Sequence, residues 1–133
     1  MIEIKKTNDP KVFADFGIQD EDGVTLMAAS EKNEVFGIGV TLSKNGFAVL
    51  DKIIMKEDFS FFEMEFGMGK SLLNMLDLAG FRYVFSDIEN ERLMKALRFK
   101  QNADLPSDVS PDKKYKNFLC LDGYFTLHKC ENE

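Results

Sequence analysis

The chain opens with a period-two alternation. Met1-Ile2-Glu3-Ile4-Lys5-Lys6 puts apolar residues on one side only, which predicts a half-buried strand. Lys11 to Phe16 allows one or two helical turns, and Gly17 ends them. Three longer apolar, β-branched runs follow: Val24 to Ser30, Glu34 to Leu42 and Gly46 to Met55. Glu31-Lys32-Asn33 and Ser43-Lys44-Asn45-Gly46 join them, and connections this short and turn-rich predict an antiparallel meander. The pattern then changes to helix spacing, with Met68, Leu72, Met75, Leu76 and Ala79 on one face and Gly80 as a stop. Arg82 to Ser86 reads as a strand entered from a helix, and so parallel to the meander's last strand. A second helix, opened by Asp87 or Glu89, runs from Asn90 to about Leu97. Gln101 to Tyr115 is polar, carries Pro106 and Pro111, and reads as a loop. Phe118 to Leu121, Asp122-Gly123, and Tyr124 to Leu127 carry the signature of a terminal hairpin.

Composition narrows the class. At 133 residues, residues 1–133 make one domain with room for a sizeable core. A hydrophobic share of 44% beside a charged share of 30% is that of a globular protein. No apolar run nears the roughly 18 residues of a membrane span. Charges begin at Glu3, so no signal peptide is expected. The net charge of −6 argues against nucleic acid and suits a cationic partner. Two cysteines without metal-ligand spacing point to a reducing cytoplasm and no metal. The acidic run Gln19 to Gly23 reads as a solvated turn.

Gly67 and Gly69 sit directly ahead of the helical pattern. Strand, glycine loop and helix N-terminus together can hold an anion, because first-turn N–H groups lack partners and the dipole favours negative charge. The spacing is neither of the common phosphate loops: Met64 stands where a Walker loop needs glycine, and Leu72 where a dinucleotide fingerprint needs it. A second reading stands beside the first. Asp58 could cap one long helix with Phe59, Phe62 and Phe66 on a face, running through to Ala79, at about 1 kcal/mol for each interior glycine.

Gly67-x-Gly69 resembles the Arg/Gln-x-x-Gly-x-Gly/Ala loop of the GNAT acetyltransferase superfamily, with Met64 in place of Arg or Gln. The order of elements and the stretch Leu93-Met94-Lys95-Ala96-Leu97-Arg98-Phe99 resemble that family too. The resemblance implies an α/β (α+β) GNAT-like mixed sheet: an antiparallel meander, then β-α-β-α and a C-terminal β-hairpin. It implies acetyl-CoA as acyl donor and a small-molecule or peptide amine as acceptor. Backbone groups of Ile53, Ile54 and Met55 would hold the pantetheine arm. Phe66, Gly67, Met68, Gly69, Lys70 and Ser71 would hold the pyrophosphate, and Asn90 would contact the arm. Asp51 would take the amine proton, placed by alternation on the face of Ile53 and Met55, with Glu34 a second candidate. The family's tyrosine acid is missing, since Met94 stands in its place; Tyr83 and Tyr124 are substitutes or packed aromatics. Glu65 would repel a pyrophosphate, and Lys70 offers one compensating charge. The segment between the first two strands is short, so the acceptor side is either open or completed by another chain, as in a homodimer. His128, Cys120 and Cys130 read as structural or exposed. The alternative function is a GNAT-fold binding or interaction module without catalysis.

Overall fold

A computed structural model describes residues 1–101, 105–106 and 109–125. Strand β1 (Ile2–Thr7) is followed by helix α1 (Pro10–Asp15), which Asp9 caps by accepting the Lys11 N–H. Strands β2 (Val24–Glu31), β3 (Glu34–Ser43) and β4 (Ala48–Met55) form the expected antiparallel meander. Lys32 and Asn33 take φ of 53° and 67° in the tight turn between β2 and β3, the geometry a two-residue hairpin requires. A 3₁₀ turn (Glu57–Phe59) leads into helix α2 (Phe62–Leu78). Strand β5 (Tyr83–Ser86), helix α3 (Glu91–Ala96), β6 (Lys100–Gln101) and β7 (Asn117–Cys120) complete the order.

Among the described residues seven strands make one mixed sheet in the order β1-β2-β3-β4-β5-β7-β6. β4 and β5 are parallel, as a helical crossover demands, and all the other pairs are antiparallel. On one face α2 and α3 cover the main core, with Leu50, Met68, Leu72, Leu73, Leu76, Val84, Leu93 and Leu97 at its centre. On the other face α1 packs Val12 and Phe13 on Leu26, Ile38 and Val40. A third cluster on β4, β5 and β7 joins Phe47, Val49 and Phe85 to Val109 and Tyr115 of the long connection between β6 and β7. Among the described residues no helix is long and apolar enough to cross a membrane.

Two expectations need correction. Helix α2 begins at Phe62, so Gly67 and Gly69 are its sixth and eighth residues and form no loop. The reason is packing. In the added first turns Phe62, Met64 and Phe66 pack against the main core, and partial burial of three large apolar side chains offsets about 1 kcal/mol for each glycine. Gly69 also serves that packing, since a Cβ there would lie 2.7 Å from Leu97 Cδ1 on the α3 side. Gly39 does the same from the sheet, where a Cβ would meet Leu72 and Met68.

The second correction concerns the hairpin. Its turn forms: Tyr124 N–H donates to the Leu121 carbonyl at 3.0 Å, with Gly123 at φ 72°. Tyr124 and Phe125 lie in that turn instead of a strand, and Thr126 and Leu127 lie outside the described residues. β7 instead sits between β5 and β6.

Candidate active site where two strands part

β4 and β5 are paired only at Ala48–Val84 and Val49–Phe85. Beyond that point the Ser86 hydroxyl donates to the Leu50 carbonyl at 2.8 Å and accepts from the Ile88 N–H at 3.2 Å. A side chain thus takes the place of the next rung. From Lys52 to Met55, β4 stays paired with β3 on one edge, and its other edge has no strand partner among the described residues.

The β3–β4 register slips just before this stretch. Val40 faces Lys52 and Thr41 faces Leu50, so Asp51 is the extra residue of a β-bulge. The bulge resets the alternation. Leu50, Ile53 and Met55 pack toward the α2 side, and Ile54 toward the α1 side. Asp51 therefore does not share a face with Ile53 and Met55, as strict alternation predicts. Its carboxylate acts instead on Lys113 and Tyr115, over the third cluster.

Several carboxylates gather there. Asp87 directly follows β5; Lys113 Nζ lies 2.7 Å from its Oδ2, and the Lys116 N–H donates to its Oδ1 at 2.8 Å. Burial pushes the Asp87 carboxyl up, but these bonds outweigh it and hold it below the usual carboxylate range. The Tyr115 hydroxyl donates to Asp112 Oδ1 at 2.6 Å. Burial first, then that bond and the fields of Asp112, Asp87 and Asp51, push the Tyr115 phenol well above its ordinary value. The sequence marked Asp87 only as a possible helix start and Lys113 and Tyr115 only as loop, because a polar loop acquires a place on the sheet only through tertiary pairing.

The other expected residues divide. Ile53, Met55, Met64 and Phe66 are half-buried against the core that holds Met68 and Met94. Phe66 stacks on Phe62 at 5.8 Å. Met94 is buried in that core, so the tyrosine position is filled by packing. Tyr124 is 4% exposed, and its hydroxyl donates to the Leu97 carbonyl at 2.9 Å, so its proton is committed inside the protein and not presented at the surface. Tyr83 stacks on Phe118. Asn90 caps α3 by accepting the Leu93 N–H at 3.1 Å, and its amide donates to Glu65 at 3.4 Å. Lys70 stands 4.6 Å over the Tyr124 ring; burial and then Arg98 lower its pKa. Ser71 is half-buried, and Glu34 is exposed at the start of β3. Cys120 is exposed and free, while His128 and Cys130 lie outside the described residues. No metal-binding cluster occurs among the described residues.

Fit to a CoA thioester is therefore uneven. The unpaired β4 edge suits an extended amide-bearing arm. The pyrophosphate cradle does not fit. The true start of α2 has Phe61 as N-cap with no side-chain bond, and its first turn carries Glu63 and Glu65.

No family model and no curated protein matches the sequence. Solved structures do match the fold. A protein of Exiguobacterium sp. 255-15 assigned as an acetyltransferase superposes with TM-score 0.68 at 15% identity, covering 96% of this chain and 98% of that one. The ribosomal-protein-S18-alanine N-acetyltransferase of Escherichia coli gives 0.63 at 12% identity, covering 89% and 90%. A GNAT family acetyltransferase of Elizabethkingia anophelis with acetyl-CoA bound gives 0.62 at 11%, covering 90% and 94%. The chain has the GNAT fold, as its order of elements led us to expect.

Proposed function

We propose that the chain is an acyl-CoA-dependent N-acyltransferase acting on an amine by direct transfer. The observation that carries this reading is the unpaired edge of β4 beside a bulge, at the point where β5 departs. In such a reaction a bound acyl thioester supplies an electrophilic carbonyl; the amine forms the C–N bond and the thiolate leaves. Backbone groups of Ile53, Ile54 and Met55 hold and orient the arm. Asp51, at the bulge, takes the amine proton directly or through water. The acyl donor is acetyl by resemblance. The acceptor is a small-molecule or peptide amine, which the carboxylates around Asp51 favour as a cation.

A second reading is a GNAT-fold binding module without catalysis. It is favoured by Glu63 and Glu65 in the first turn of α2 and by the buried Met94. Calorimetric titration with acetyl-CoA and with acetyl-pantetheine tests both readings. With no pyrophosphate cradle, the two donors bind within a few-fold of each other. Absence of binding by both, at millimolar concentration, rules out the acyltransferase. Binding without turnover on an amine panel selects the second reading.

A further inference from the structure

We infer that Lys113 is a built-in occupant of the acceptor subsite, so the resting chain blocks its own amine site and accepts primary alkylammonium groups of lysine type. The inference rests on the acyltransferase reading and names its substrate class. The Lys113 ammonium lies 2.7 Å from Asp87 Oδ2 and 5.0 Å over the Tyr115 ring, and it lies in the fields of Asp112 and Asp51. A carboxylate and an aromatic face on one ammonium form a recognition arrangement for an alkylammonium, and an ordinary surface pair has only the first.

The place matters as much as the composition. Asp87 follows Ser86, the residue tied to Leu50, and Leu50 directly precedes Asp51 at the bulge. The ammonium therefore stands near the point where β4 and β5 part and where the proton acceptor is proposed. The arrangement also stays in place without Lys113. Asp112 is held by the Tyr115 hydroxyl at 2.6 Å and by Lys44 at 3.3 Å, and Asp87 by the Lys116 N–H at 2.8 Å. Lys113 itself has a 60% exposed side chain. A weakly held lysine over a separately supported frame is a group that a free amine can displace.

The test is Lys113→Ala, read by NMR titration with n-butylamine in the absence of any acyl donor, and by acetyl transfer to the same amine. The variant should bind n-butylammonium about tenfold tighter than the wild type, since the competent site is no longer mostly occupied. Adding Asp87→Asn to that variant should abolish the gain. Equal binding by wild type and Lys113→Ala overturns the inference, whatever the transfer assay shows. A gain that survives Asp87→Asn overturns it too. Tighter amine binding with no acetyl transfer supports the amine subsite and counts against the acyltransferase reading alone. Melting temperatures of both variants close to the wild type exclude a folding defect as the source of any difference.

Discussion

Gly67 and Gly69 give a paired test of where helix α2 begins. Both lie inside the helix, but a side chain would meet different surroundings at each. A Cβ at Gly67 meets nothing within 4 Å. Gly67→Ala should then gain helix propensity alone, up to about 1 kcal/mol. For a domain of 133 residues that is a rise of about 4 °C in melting temperature. A Cβ at Gly69 comes within 2.7 Å of Leu97 Cδ1 and 3.1 Å of Cδ2, and Leu97 is 0% exposed in the core. Overpacking of that kind costs about 1–3 kcal/mol, which exceeds the propensity gain. Gly69→Ala should lower the melting temperature by a few degrees, and Gly69→Val by more. Thermal unfolding followed by far-ultraviolet circular dichroism measures all three. If Gly67→Ala destabilises the protein, that glycine is in a loop with φ > 0, and both the helix start and the rejection of a pyrophosphate cradle fail.

Thr41 is fully buried, and its hydroxyl has no hydrogen-bond partner among the described residues. Thr41→Val keeps the shape and should raise stability by about 1 kcal/mol, seen as a higher urea midpoint at unchanged slope; a lower midpoint would mean that the hydroxyl is satisfied. Glu65→Gln removes a charge from the first turn of α2 and keeps an acceptor for Asn90; with no pyrophosphate cradle there, the acetyl-CoA dissociation constant should change by less than about twofold. A fall of about fivefold or more would place the phosphates at this helix start after all. The raised pKa of Tyr115 stabilises the fold below about pH 10 and loses that contribution as pH climbs higher, because the unfolded phenol ionises first. Tyr115→Phe should be somewhat less stable at neutral pH and show a flatter alkaline decline in melts; an unchanged slope excludes Tyr115 as its source.

What the sequence made legible was local. The meander follows from two short polar connections and α1 from Asp9 and Pro10, whereas α3 was expected to open at Asp87 or Glu89 and is capped by Asn90 instead. The helix stop at Gly80 is a local signal too, and it appears with φ 94°. The long-helix reading gave the extent of α2 to Ala79 but not its start, because Asp58 lies in the preceding 3₁₀ turn, Phe61 makes no capping bond, and the helix is fixed by what it packs on. Gly-x-Gly suggested a phosphate loop, but Gly69 serves close approach to Leu97. The bulge at Asp51 has no sequence signature either, and it alone decides which face the carboxylate occupies. Arg98 is a further case. It adopts φ 71° directly after the C-cap of α3, a left-handed conformation that favours glycine, and no glycine in the sequence announces it.

The two rungs between β4 and β5 also divide the sheet mechanically. On one side stands a block of four strands, three of them laced by local hairpins; on the other, three short strands whose pairing closes a long loop. Such a seam is where a domain opens at least cost, in cooperative units smaller than the whole. The β5–β7 block should part from the meander before either block unravels, so the β5 amides that face β4 should exchange with solvent deuterium well ahead of those in β3. Breathing of this kind would open the chain along the line by which an extended ligand enters, without a dedicated lid.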